Sequence, residues 1–199
     1  MENVLYLIPA LGVSYLLGSL PSAYLAGKLK GVDIRKHGSG NMGATNTARI
    51  LGFQWGLVVL LADILKGFLA AWVAACLLGM WGAVLGGLSV VIAHNWNPWF
   101  GFKGGKGVAC GLGAALFMIP SAIAVGVIVF VAVVALTRYV SLASLTAALT
   151  VLLMTVVFAD PTPYKIFAIA AVIFIFIRHI ENIKRLYSGT ESKFQWKKK

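Results

Sequence analysis

The chain has 199 residues, of which 60% are hydrophobic and 12% charged, where an average soluble domain carries about 25% charged residues. That balance excludes a soluble enzyme and points to an all-α integral membrane protein, a single domain over residues 1–193 with room for several spans of about 20 residues each. The formal net charge of +11 does not indicate a nucleic-acid partner, because the basic residues are scattered between apolar runs and form no polar surface.

The amino terminus, MENVLYLIPALGV, carries Glu2 and no Lys or Arg before its apolar run, so it lacks the basic head of a signal peptide and reads as an uncleaved first span over 4–29. Pro21 is expected to kink that span and to leave Ser19 and Ser22 near freed carbonyls. The polar stretch KLKGVDIRKHGSGNMGATNTARILG, residues 28–52, holds five basic side chains and is expected to be a loop folded back on the bundle. Span two, 53–78, carries Asp63 and Lys66 at i, i+3, where opposite charges meet on one helix face. Alone in a membrane each would cost about 2.5–3.5 kcal/mol, so the pair faces protein or water, in a structural or a catalytic role.

A turn at 79–81 leads to span three, 82–95, and then to HNWNPWFGFKGGKG, residues 94–107, where aromatics, glycines and lysines are densest. Gly104, Gly105 and Gly107 leave backbone N–H groups free to converge on an anion, and Lys103 and Lys106 add charge. The spacing is not that of the nucleotide P-loop, and a tight basic turn remains the plain alternative. Trp96, Trp99, Phe100 and Phe102 suit headgroup depth. Span four is expected at 108–118, a turn at Pro120, and span five at 121–137. Ser141 and Ser144 fall at i, i+3 at the start of span six, which ends near Ala159; capping by Ser141 is one reading. Span seven begins near Tyr164 and runs into RHIENIKRLYSGTESK, where Arg178, His179, Asn182 and Arg185 make a polar stripe.

On this count there are seven transmembrane helices. The basic residues fall on one side, so the positive-inside rule places the N-terminus outside and the C-terminus in the cytoplasm. All three polar stretches then meet at the cytoplasmic face, and residues 194–199 form a flexible basic tail near anionic membrane lipids. Cys76 and Cys110 lack metal spacing and the three histidines lack a ligand cluster, so neither a metal nor a cofactor is expected.

The three polar stretches, with DILKG and RYVSLAS between them, closely resemble the signature blocks of the bacterial acyl-phosphate:glycerol-3-phosphate acyltransferase family, PlsY. The resemblance implies a multi-pass enzyme of the bacterial inner membrane. It would move an acyl group from acyl phosphate to the first hydroxyl of glycerol 3-phosphate, giving lysophosphatidic acid and inorganic phosphate without a covalent acyl-enzyme. Carried over position by position, it implies catalytic roles for His179, Asn182, Lys106 and Ser39. It implies substrate binding by Arg49, Asn46, Ser144 and the glycines around Lys106, Gly104, Gly105 and Gly107; Lys103 and Arg178 join the substrate-binding set on their own chemistry, as cations that match a phosphate. His179 would meet the glycerol hydroxyl, with either His179 or a substrate phosphate as the base. Cys110 stands where many relatives have Thr, and a thiol is the weaker donor. The HxxxxD pattern of other glycerolipid acyltransferases is missing, since His37, His94 and His179 are followed five places on by Met42, Trp99 and Lys184. A transporter for a small organic phosphate is the alternative class; the apolar middles of spans five to seven weigh against it.

Overall fold

The computed structural model describes residues 5–195, which are helices and connecting turns with no strand. Glu2, the start of the expected first span at Val4, and residues 196–199 of the expected basic tail lie outside the described residues. The chain divides into two compact units, Met1–Met118 and Ile119–Lys199.

Unit 1 holds α1 (Leu7–Ser19), α2 (Ser22–Leu29), α3 (Ala44–Leu51), α4 (Phe53–Asn95) and α5 (Val108–Met118). The expected first span is broken where Pro21 removes an N–H and forces Leu20 extended, at φ −62° and ψ 116°. Ser19 Oγ folds back on Leu16 O at 2.8 Å, whereas Ser22 Oγ crosses to Asp63 Oδ1 at 2.9 Å. The polar stretch expected as a loop contains α3, whose apolar and polar residues segregate by helical period; glycines on both sides had masked it.

α4 has 43 residues, about 65 Å of helix at 1.5 Å per residue, twice the roughly 30 Å of bilayer hydrocarbon. Gly79 alone inside it leaves helical geometry, at φ 64° and ψ −149°, a region open to glycine. A Cβ on Gly82 would land on Ala74 O, and one on Gly86 would come within 2.6 Å of Ala70 O. The pairs 74/82 and 70/86 are symmetric about 78, so the legs 53–78 and 80–95 pack antiparallel. The expected turn at 79–81 shrinks to one residue, since Met80 and Trp81 are helical. α1 lies along the second leg, with Gly18 against Val90 and Ala93 and Ser89 Oγ donating to Leu11 O at 3.2 Å. α5 crosses the first leg at Gly67 and Gly113, where a Cβ would strike Cys110 O or Ile64 O. Such small-residue contacts let backbones touch where lipid offers no hydrophobic drive. With 11 residues, α5 is only about 16 Å long, roughly half a bilayer.

Unit 2 holds α6 (Pro120–Thr137), α7 (Val140–Val157), α8 (Thr162–Arg178) and α9 (Ile180–Tyr187), with α7 packed on both α6 and α8. Pro120 opens α6, a position where its missing N–H costs no helix hydrogen bond, so it starts the helix instead of marking a turn before it. Arg138 closes α6 at φ 62°, donating its N–H to Val134 O. α8 bends by 60° into α9, which splits the stripe expected on one continuous helix. Ser141 is no cap: Tyr139 holds that position without a side-chain hydrogen bond.

Large apolar side chains such as Leu16, Leu61, Leu65, Ile128, Leu136 and Leu153 stand exposed along these helices, a surface stable only against hydrocarbon. Among the described residues, four helical stretches, Leu7–Leu29, Phe53–Phe100, Pro120–Thr137 and Val140–Val157, are long and apolar enough to cross a membrane, or five with the bent α8–α9 pair.

Candidate active site

In unit 1 the first polar stretch is built around two local devices. Asp33 starts the turn Ile34–Lys36 by accepting from Arg35 N at 3.1 Å, and its carboxylate also takes the Arg35 guanidinium at 2.9 and 2.8 Å. The Arg35 hydrogen bond holds the Asp33 carboxyl at about 2 against its ordinary value near 4. Asn46, which the resemblance assigns to substrate, is 1% exposed. Its Oδ1 accepts from Ser39 N at 2.9 Å, and its Nδ2 donates to Ile34 O at 3.3 Å and His37 O at 3.1 Å. The amide therefore shapes the loop that presents Ser39, which is exposed. Arg49, three residues on from Asn46 along α3, is half-buried and shares its face.

The second polar stretch joins the first through aromatics. Phe100 packs on Tyr24 with centroids 4.8 Å apart, and the Arg35 guanidinium lies over both rings at 4.9 and 5.1 Å. Two of the four rings expected at headgroup depth, Trp99 and Phe102, are exposed; Phe100 is a packing residue. Asn97 is the organiser here. Its Oδ1 accepts from Trp99 N at 3.0 Å and its Nδ2 donates to Ser19 O at 2.8 Å, one of the carbonyls freed by Pro21. The Asn-Pro dipeptide, a turn starter, was the signal that could have found it. Gly104 and Gly105 then seat on the end of α4: Gly105 N donates to His94 O at 3.0 Å. A Cβ on Gly104 would fall on that same oxygen, and one on Gly105 on the His94 ring. Gly107, at φ 77°, lies over Asn95. Asn95 is fully buried, and its Oδ1 and Nδ2 have no hydrogen-bond partner. Lys106 is half-buried and Lys103 exposed.

Beneath this loop lies a buried polar cluster. Lys66 Nζ is 2.7 Å from Asp63 Oδ1, 2.9 Å from Leu20 O and 3.0 Å from His94 Nδ1. Lys66 is 4% exposed, Asp63 1% and His94 8%. Ligand-type atoms of Asp63, His94 and Cys110 all lie within 4.8 Å of one another. The cation held by two of them is the Lys66 ammonium, which a metal would have to displace. The Asp63–Lys66 pair is thus structural in its contacts: Lys66 adds a second donor to Leu20 O, which Ser22 N also meets at 3.1 Å, and so joins the α1–α2 break to α4.

In unit 2 the third polar stretch centres on Glu191. Its Oε1 accepts from Ser141 Oγ at 2.7 Å and from Asn182 Nδ2 at 2.6 Å, and its Oε2 from Arg185 Nε at 2.7 Å. Partial burial pushes its carboxyl up, but these three hydrogen bonds outweigh that and leave it below the ordinary range. His179 sits at the α8–α9 bend, 2% exposed, with Nδ1 2.8 Å from Ile175 O. A carbonyl only accepts, so Nδ1 carries the hydrogen, and in the neutral ring Nε2 carries the lone pair. Ser144 Oγ bonds back to Val140 O at 2.9 Å, and Arg178 ends α8 half-buried.

A profile of the glycerol-3-phosphate acyltransferase family matches residues 8–189. The chain belongs to that family. It is 42% identical over 181 residues to the glycerol-3-phosphate acyltransferase of Symbiobacterium thermophilum, covering 91% of each chain. Its fold is similar to two crystal structures of PlsY (YgiH), an integral membrane glycerol 3-phosphate acyltransferase. Against the glycerol 3-phosphate form the TM-score is 0.91 at 40% identity, covering 98% of this chain and 96% of that one. Against the lysophosphatidic acid form it is 0.89 at 39%, covering 98% and 97%. The chain is an integral membrane glycerol-3-phosphate acyltransferase, and the transporter alternative falls.

Proposed function

We propose that the acyl donor is an acyl phosphate and the acceptor the sn-1 hydroxyl of glycerol 3-phosphate. The observation that carries the reading is the glycine loop seated on His94, with Lys103 and Lys106 inside it. Backbone N–H groups and ammonium groups of that kind bind a phosphate. Lys106 with Gly104, Gly105 and Gly107, together with Arg49 and Ser39, takes the phosphates of the substrates. Ser144, Asn182 and Arg178 complete the recognition of glycerol 3-phosphate, and Asn46 holds Ser39 in place.

His179 receives the glycerol hydroxyl at Nε2, aligned by the bond from Nδ1 to Ile175 O. The hydroxyl oxygen attacks the acyl carbonyl, the bond from acyl carbon to phosphate oxygen breaks, and the proton ends on the departing phosphate. A mixed anhydride has a good leaving group, so positioning and charge stabilisation suffice and no acyl-enzyme is formed. The products are lysophosphatidic acid and inorganic phosphate.

The same reading places seven spans in a bacterial inner membrane, with the N-terminus outside, the C-terminus in the cytoplasm and the reaction on the cytoplasmic side. The length of α4, enough for two crossings, supports that count. Purified protein given glycerol 3-phosphate should release inorganic phosphate from an acyl phosphate and form lysophosphatidic acid. Turnover with an acyl thioester but not with acyl phosphate would overturn the donor assignment.

A further inference from the structure

Three buried ionisable residues, Asp63, Lys66 and His94, take no part in the reaction as written, yet their geometry bears on it. An ammonium has hydrogens and no lone pair. His94 Nδ1, 3.0 Å from Lys66 Nζ, is therefore the accepting nitrogen, and the ring proton sits on Nε2. Lys66 is itself held on two other sides, by Asp63 Oδ1 at 2.7 Å and by Leu20 O at 2.9 Å. Ser22 Oγ, at 2.9 Å, fixes the same Asp63 oxygen. One imidazole is thereby locked in both tautomer and ring orientation from below. Above it lies the glycine loop: Gly105 packs so closely on the Nε2 edge that a Cβ would overlap the ring, and Gly105 N donates to the His94 carbonyl.

We propose that Asp63, Lys66 and His94 are positioning residues for the phosphate-binding loop. Lys66, held by Asp63, sets the Nε2-protonated tautomer of His94, and the His94 ring is the platform that fixes the height and tilt of Gly104–Gly107. The proposal rests on the reading of that loop as a phosphate cradle. Donors displaced by a fraction of an ångström lose much of a charge-assisted hydrogen bond, so the strut acts on substrate affinity through the loop without touching substrate. The ion pair in the apolar interior is then explained by the loop it supports.

Nitrogen NMR of His-labelled wild-type protein tests the first half without any variant. His94 should show one Nε2-protonated neutral tautomer; an Nδ1-protonated or doubly protonated ring would overturn the proposal. The second half uses the paired variant Asp63→Asn/Lys66→Met, which removes both charges and leaves no lone buried ion. It should shift the His94 resonances to a tautomer mixture and raise KM for a phosphate substrate about tenfold, with kcat changed by less than about threefold. A folded double variant with KM unchanged would sink the strut. If the double variant fails to fold, Ser22→Ala serves instead: it frees one side of Asp63, and the same two readouts should move in the same direction by a smaller amount. Lys106→Met separates the two levels of argument. A KM unmoved by Lys106→Met removes the phosphate cradle itself. A KM raised by Lys106→Met but not by loosening the strut removes only the positioning role.

Discussion

Replacing Glu191 gives the sharpest test of how the third polar stretch is held. Glu191→Gln keeps shape and leaves an oxygen for Ser141 and Asn182, but it turns an NH2 toward Arg185 Nε, now 2.7 Å from Oε2. One charge-assisted bond is lost, about 1.5–3 kcal/mol in a dry site. Arg185 is 42% exposed at the side chain, and solvent screening discounts that to about 1 kcal/mol. Glu191→Ala removes all three bonds and strands the donors of Ser141 and Asn182, both buried, at about 1–3 kcal/mol each. The expected total is about 3–7 kcal/mol. Thermal unfolding in detergent should therefore rank wild type above Gln above Ala, and turnover should fall with Ala because Asn182 loses its orientation. Equal Tm for Gln and Ala, or wild-type turnover in Ala, would refute the account. The pH dependence has a definite sign. Glu191 is lowered in the folded state, so its contribution is fully present above the unfolded carboxylate value of about 4.3 and fades as pH falls through the lower folded one. Wild type should lose this stability only as pH falls below about 4, and Glu191→Gln should lack that part of the acid transition.

Gly113→Ala places a Cβ on the Ile64 carbonyl and Gly67→Ala one on Cys110 O; each should cost about 1–3 kcal/mol by overpacking, seen as a lower Tm with KM little changed. Asn95→Leu replaces a buried amide without partners by an apolar side chain of similar size, so Tm should rise by an amount equivalent to about 1–3 kcal/mol; a fall would show that the amide is held. His179→Gln should leave a slow enzyme whose residual rate keeps the wild-type pH profile, as the proton goes to phosphate; loss of one limb of that profile in the variant would make His179 the base.

The sequence determined the class and the chemistry on offer. A low charged fraction, apolar runs of span length and basic loops between them require a helical membrane protein, because unpaired backbone cannot lie in hydrocarbon. Side-chain type offered Arg49, Lys106 and His179 as groups that can meet a phosphate, and the family resemblance added Asn182. Pro21 announced its break for the same local reason. Where neighbours in space decide, the sequence was silent. α3 hid among glycines, the turn at Gly79 narrowed to one residue because its legs touch, and Ser141 was drawn to Glu191, fifty residues away. Only the tertiary structure shows that Asn46 is tied to its own loop and that Lys66 reaches across to Leu20 and His94. Composition and period are local properties of the chain. Which polar group satisfies which is fixed only when distant segments are packed against each other with no water between them.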